Sequence, residues 1–239
     1  MNKPAIELIA FDADDTLWVN EPIYTEAQQA CETILRPYLG QEVLHDRLYE
    51  FERKNLQIFG YGVKGFVLSM IETAIELSQG RVKGEEIQRI IDIGKEMLAR
   101  PIEVLEGVRE SLEALSKQYE LMIITKGDLF DQESKIARSG LGDFFSKVEI
   151  VSEKTPQTYQ EIVRRHHIDL RRFLMVGNSL KSDVLPLCEI GAHAVHIPFH
   201  TTWVHEQVAP QQLDGKQYWE LNDIRELPGF LDVSLADTV

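Results

Sequence analysis

Cysteine is scarce in this sequence. There are two in 239 residues, Cys31 and Cys188, far apart along the chain. That content excludes a disulfide framework, and the expectation is two reduced thiols in a cytoplasmic protein. Long hydrophobic runs are missing as well: no apolar stretch approaches the ~20 residues that span a bilayer. The first apolar stretch, Ile6–Phe11, is short and runs straight into Asp12, Asp14 and Asp15, which is not a signal-peptide pattern. Positive charge is in deficit, with 25 Lys and Arg against 39 Asp and Glu and a formal net charge of −14. Without a basic footprint, neither nucleic acid nor an acidic membrane surface is expected as a main partner. A small anionic substrate stays open, provided that a metal ion or a few placed lysines supply a local positive field. Repeats and low-complexity segments are absent. The overall composition, 44% hydrophobic and 27% charged, is ordinary for a globular protein.

What is present is an alternation. Short apolar, β-branched runs occur at Ile6–Phe11, Leu121–Thr125, Val148–Val151, Phe173–Val176 and Ala194–Ile197. Most are unbroken rather than alternating, as in parallel strands buried on both faces. Amphipathic helix patterns lie between them at Gly107–Gln118, Leu129–Ser139, Pro156–His167 and Ser182–Ile190, with Gly140 and Gly191 where helix C-caps would fall. Strands alternating with helices predict a doubly wound (Rossmann-like) α/β fold with a parallel sheet. The first and second strands are about a hundred residues apart, too far for one crossover. That stretch predicts helices throughout, at Tyr24–Leu39, Glu42–Ile58, Lys64–Ser78 and Glu85–Ala99. An all-helical module inserted after the first strand follows, with Pro22 and Pro101 as hinges. The predicted domains are a core of residues 1–18 and 103–239 and a helical insert of residues 19–102.

Ligands of doubly wound folds bind beyond the carboxyl ends of the strands, and the chemistry-bearing residues fall there. The first strand ends in Asp12-Ala13-Asp14-Asp15-Thr16. Carboxylates crowded this closely repel one another unless a cation neutralises them, and hard oxygen ligands suit Mg²⁺. The bland alternative is a solvated acidic turn. The second strand ends in Thr125-Lys126-Gly127-Asp128, where a hydroxyl, a cation and a glycine suit phosphate oxygens. Asp128 also suits a helix N-cap there. Lys154 follows the third strand and either enters the same cleft or lies on the surface. The fourth strand ends in Gly177-Asn178-Ser179-Leu180-Lys181-Ser182-Asp183, an acidic loop or a loop with Ser182 capping a helix. Chance alignment of all four at successive strand ends is far less probable than any one bland alternative.

This ordered set resembles the haloacid dehalogenase superfamily of hydrolases, over nearly the whole chain. Asp12-Ala13-Asp14-Asp15-Thr16 looks like that family's first motif, Asp-x-Asp-x-Thr. Thr125 looks like the second motif's hydroxyl, Lys154 like the third motif's lysine, and Gly177–Asp183 like the fourth, acidic motif. The insert after the first motif looks like an α-helical cap of the first type. The fourth motif usually begins Gly-Asp and here reads Gly177-Asn178. An Asn carbonyl oxygen still ligates Mg²⁺ without the charge, so either Asn178 or Asp183 is the direct ligand. Asp15 stands where glycine is frequent, and it is assigned no role.

The resemblance implies a magnesium-dependent phosphomonoesterase acting on a small phosphorylated metabolite. Asp12 would be the nucleophile and form an aspartyl-phosphate. Asp14 would protonate the leaving oxygen and then deprotonate water. Thr125 and the Lys126 amide would hold phosphate oxygens, and Lys154 would balance charge. Mg²⁺ would be held by Asp12, the Asp14 carbonyl, Asn178 and Asp183. Dehalogenating members typically carry an aromatic residue where Asp14 stands, so this carboxylate favours phosphate-ester chemistry. The alternatives are a phosphomutase of the same superfamily and a catalytically weakened sensor of a phosphorylated ligand. The insert would set the substrate, with Lys64 in the loop Phe59–Gly65 offering a cation. The bland reading of that loop, a helix-to-helix turn with Phe59 and Tyr61 in the core, is preferred. For His196–His205 a strand end and surface loop is preferred to a zinc site, because the spacing is irregular and no cysteine is near. The sequence does not indicate an oligomeric state.

Overall fold

The computed structural model describes residues 5–39, 44–201, 203 and 206–233. The chain divides into two compact units. One comprises Met1–Glu21, Ile102–Lys126 and Ser134–Val239; the other comprises Pro22–Pro101 and Gly127–Glu133. The short segment Gly127–Glu133, expected in the α/β core, clusters with the helical unit.

The first unit is built on a six-stranded sheet. Its strands are β1 (Leu8–Phe11), β2 (Glu120–Lys126), β3 (Lys147–Val151), β4 (Phe173–Gly177), β5 (His193–His196) and β6 (Trp219–Glu220). All neighbours run parallel, in the order β3-β2-β1-β4-β5-β6. The unbroken apolar runs are explained by two cores, one on each face of the sheet. Ile9, Phe11, Leu121, Ile123, Leu174 and Val176 pack into one. Leu8, Ala10, Met122, Ile124, Phe173 and Met175, one residue out of step, pack into the other. This period of two is what a strand buried on both faces requires. The connecting helices are α5 (Val108–Leu115), α6 (Leu129–Ser139), α7 (Pro156–Arg165), α8 (Leu185–Ile190) and α9 (Glu226–Phe230), and α6 begins in the segment that clusters with the helical unit. Thr155 caps α7, its hydroxyl accepting the Thr158 amide at 3.1 Å, with Pro156 in the first turn. The expected helix Ser182–Ile190 divides into a π-helical turn, Leu180–Val184, followed by α8.

The second unit holds α1 (Glu21–Leu35), which starts at the boundary, α2 (Leu44–Phe59), α3 (Val63–Leu77) and α4 (Gly84–Ala99). Its own core gathers Cys31, Leu35, Leu44, Leu48, Met70, Ala74 and Ile90. Gly94 is dictated by packing, since a Cβ there would overlap the Val67 side chain. The turn between α2 and α3 forms where expected, but Phe59 is half exposed rather than core. Helix α2 ends at Phe59, and Gly60 and Gly62 then take positive φ, which turns the chain before the aromatic can be covered.

Candidate active site

In a sheet ordered 3-2-1-4-5-6 the direction of winding reverses between β1 and β4, and the crevice at that switch point is the natural ligand site. Asp12 leaves β1 and Asn178 leaves β4, so both stand at this position. The Asp12 amide donates to Val176 O at 2.9 Å, which ties the two strand ends together.

Thr16 joins their side chains. Its hydroxyl accepts the Asn178 amide at 3.1 Å and faces Asp12 Oδ2 at 3.1 Å and Asn178 Oδ1 at 3.3 Å. On the other side of Asp12, the Lys154 ammonium bridges Asp12 Oδ1 at 2.5 Å and Asp183 Oδ1 at 2.6 Å. Asp183 is fully buried, and its second oxygen accepts the Ser179 amide at 3.0 Å. A Cβ at position 177 would overlap the Asp183 carboxylate, so the glycine is what admits this arrangement. A buried ammonium between two carboxylates is stable only because each charge is paired. Burial raises the Asp12 carboxyl to about 7 against the opposing pull of Lys154. Burial raises Asp183 as well. Burial alone would lower Lys154, but the two carboxylates outweigh it and hold its pKa above the usual lysine value.

Asp14 lies on the turn beyond Asp12. Its Oδ1 accepts the Trp18 indole N–H at 2.8 Å, and Lys135 Nζ lies 3.1 and 3.2 Å from its two oxygens. Asp15 adopts φ 62°, and its carboxylate accepts the Asn20 amide at 2.8 Å and the Glu21 amide at 3.0 Å. It thereby meets the first free N–H groups of α1; burial pushes its carboxyl up to about 7.

Thr125 is buried at the carboxyl end of β2, its hydroxyl directed at the Lys126 carbonyl at 3.4 Å. The Lys126 side chain is engaged elsewhere, at 2.9 Å from Ser182 Oγ and 2.5 Å from Glu206 Oε1. Lys64 belongs to the helical unit, where it pairs with Asp128 at 2.9 Å and lies over the Phe130 ring. Asp12, Lys154, Asn178 and Asp183 thus form one cluster, to which Asp14 adjoins.

Several residues here were given no role in the site from the sequence. Thr16 belongs to the quoted motif but had no role. Lys135 lies 121 residues from Asp14. Glu206 gathers Lys126, Ser179 and Ser182, the Ser182 hydroxyl at 2.6 Å. His196 stands between the Asn178 carbonyl at 3.1 Å and Glu220 at 2.9 Å; Thr202, Val204 and His205 lie outside the described residues. Apart from Thr16, four residues beyond Asp12, none of these pairs is close enough in sequence to show a spacing.

The donors offered to a cation are hard oxygens. Among the described residues, no set of three or more His, Cys, Asp or Glu side chains is arranged to hold a metal ion. Mg²⁺ asks for less, since one or two carboxylates with waters commonly suffice. Asp12 Oδ2 and Asn178 Oδ1, drawn together on one hydroxyl, fit that requirement.

A model of the haloacid dehalogenase-like hydrolases matches residues 6–191. The chain belongs to this family. As a haloacid dehalogenase-like hydrolase it has relatives of more than one kind. A glyceraldehyde 3-phosphate phosphatase of Methanothermobacter thermautotrophicus is 24% identical over 93% of this chain and 99% of its own. The protein of the same description from Pyrococcus furiosus is 31% identical over 53% of this chain and 52% of its own. Among solved structures, a haloacid dehalogenase-like family hydrolase from Xanthomonas campestris is 43% identical, with a TM-score of 0.85 over 97% of this chain and 93% of that one. A 2-haloacid dehalogenase from Pseudomonas syringae shares the fold, at 22% identity and a TM-score of 0.63 over 95% and 98% of the two chains.

Proposed function

We propose that this hydrolase is a phosphomonoesterase that works through an aspartyl-phosphate on Asp12. The observation that carries the reading is the pairing of Asp12, held by Lys154 and Thr16, with a second carboxylate, Asp14, on the same turn. A carbon–halogen bond releases halide without a proton, whereas an alkoxide leaving group needs one. A carboxylate at position 14 therefore suits phosphate esters. The curated relatives named as glyceraldehyde 3-phosphate phosphatases support the same substrate class.

The steps follow from these residues. An Asp12 carboxylate oxygen attacks phosphorus as the bond to the leaving oxygen breaks, and Asp14 gives that oxygen its proton. Water then attacks phosphorus, Asp14 takes the water's proton, and the bond to Asp12 breaks to release phosphate. Lys154 offsets the charge gathered on Asp12 and on the transferred group. Thr125 and the Lys126 amide are the proposed donors to the phosphoryl oxygens. Asp183 orients Lys154 through their 2.6 Å contact. Mg²⁺ would be held by Asp12, the Asp14 carbonyl and Asn178, and would supply neutralisation of the repulsion between a carboxylate and a dianionic phosphate. With Asp183 committed to Lys154 and the Ser179 amide, Asn178 is the proposed ligand from the fourth strand.

A panel of phosphorylated metabolites, begun with glyceraldehyde 3-phosphate, tests this. Phosphate release in Mg²⁺ that is abolished by chelator and restored by added Mg²⁺ is expected. Release of halide from a 2-haloacid without phosphatase activity would overturn the assignment.

A further inference from the structure

Asp14 is held more firmly than a loop carboxylate needs to be. Lys135, on α6, sends its ammonium to both Asp14 oxygens, at 3.1 and 3.2 Å, and to Asn20 Oδ1 at 2.9 Å. The Lys135 side chain is 11% exposed and Asp14 22%. An ammonium withdrawn this far from water stabilises the fold only if it is paired, and here its observed partners lie on the turn after β1 and the segment leading to α1. The second donor is equally fixed. Trp18 is buried in the core, and its backbone bridges both Asp14 and Val104, so its indole N–H stands at a set point 2.8 Å from Asp14 Oδ1. A carboxylate has two soft torsions. Two donors on different elements, one rigid and one charged, confine it to a narrow range before substrate arrives.

We propose that Lys135 is a positioning residue for Asp14. It acts through Asp14, holding the carboxylate where a leaving-group oxygen comes within proton-transfer distance. The proposal rests on the assignment of Asp14 as acid and base given above. Proton transfer needs heavy atoms within about 2.6–3.2 Å, and a displacement on the order of 1 Å costs up to about 10²-fold. Loss of Lys135 therefore bears on the step that needs a proton and leaves substrate binding nearly unchanged.

The experiment is a leaving-group series of aryl phosphates, from acidic nitrophenols to phenol itself. The variants are Lys135→Met, Lys135→Gln and Lys135→Arg, each alone and combined with Asp14→Asn. Lys135→Met is expected to lower kcat by about 10- to 10²-fold for phenyl phosphate, with little change for the nitrophenyl esters and little change in KM. Lys135→Arg should recover part of the loss, and in the Asp14→Asn background no further loss should appear. Should Lys135→Met fail to fold, Lys135→Gln and Trp18→Phe, which removes the indole donor alone, take its place. A loss of the same size for every leaving group, or the same loss with Asp14 already replaced, would mean that Lys135 supports the fold only and would overturn the proposal. The underlying assignment is read separately. If Asp14→Asn itself leaves the leaving-group dependence unchanged, Asp14 is not the acid; if it steepens the dependence and Lys135→Met does not, only the role of Lys135 fails.

Discussion

Asn178 stands where the fourth motif of the resembled family usually begins with an aspartate, and the structure gives this residue a setting. Its side-chain oxygen shares the Thr16 hydroxyl with Asp12, while the acidic group of the same loop, Asp183, is buried against Lys154. A neutral oxygen thus stands where a charge would help a cation. Asn178→Asp should tighten Mg²⁺ binding by roughly tenfold, since ligand charge tunes affinity. Calorimetric titration with Mg²⁺ in the absence of substrate measures this, and an unchanged affinity would remove Asn178 from the ligand set. The positions of Asp12 just past β1, Thr125 at the end of β2 and Lys154 three residues past β3 were legible in the sequence, because the apolar runs that form the strands mark where each strand ends. Lys135, Glu206 and His196 were not. Their partners come from other elements, and one-dimensional spacing holds no record of a contact made across 121 residues, as between Asp14 and Lys135.

At the scale of elements, the segment after β5 is tied to the β2 and β4 strand ends by one carboxylate. Glu206 takes Lys126 and the hydroxyls of Ser179 and Ser182. Burial alone would raise its pKa, but Lys126 and the three hydrogen bonds outweigh burial and hold it below the ordinary glutamate value. A depressed carboxyl stabilises the fold above its unfolded pKa, about 4.3, and that contribution is lost as pH falls through the folded value. Glu206→Gln should therefore lower stability by about 1–3 kcal/mol near neutral pH. The gap to wild type should narrow as pH falls below about 4.3, as denaturant melts at several pH values would record. A gap that widens in acid would refute the sign. The helices were legible from their periodicity, and β1 to β5 from short, mostly unbroken apolar runs. The two-residue strand β6 and the π-helical turn Leu180–Val184 were not, because neither is long enough to establish a period.

At the scale of the whole molecule, a chain of net charge −14 is read here as handling an anionic ester. The apparent conflict resolves locally. Lys154 lies within the acidic cluster and offsets one of the two carboxylate charges it bridges, which weakens the repulsion an anionic substrate meets at the reacting centre. The central claim is that the phosphoryl group passes through Asp12. The direct measurement is acid quenching during steady-state turnover of an aryl phosphate, followed by peptide mass spectrometry. The account predicts one phosphoryl group on the peptide bearing Asp12, on that residue, absent when substrate is withheld and absent in Asp12→Asn, which should be folded and inactive. Turnover that continues in Asp12→Asn at a rate near wild type would contradict it.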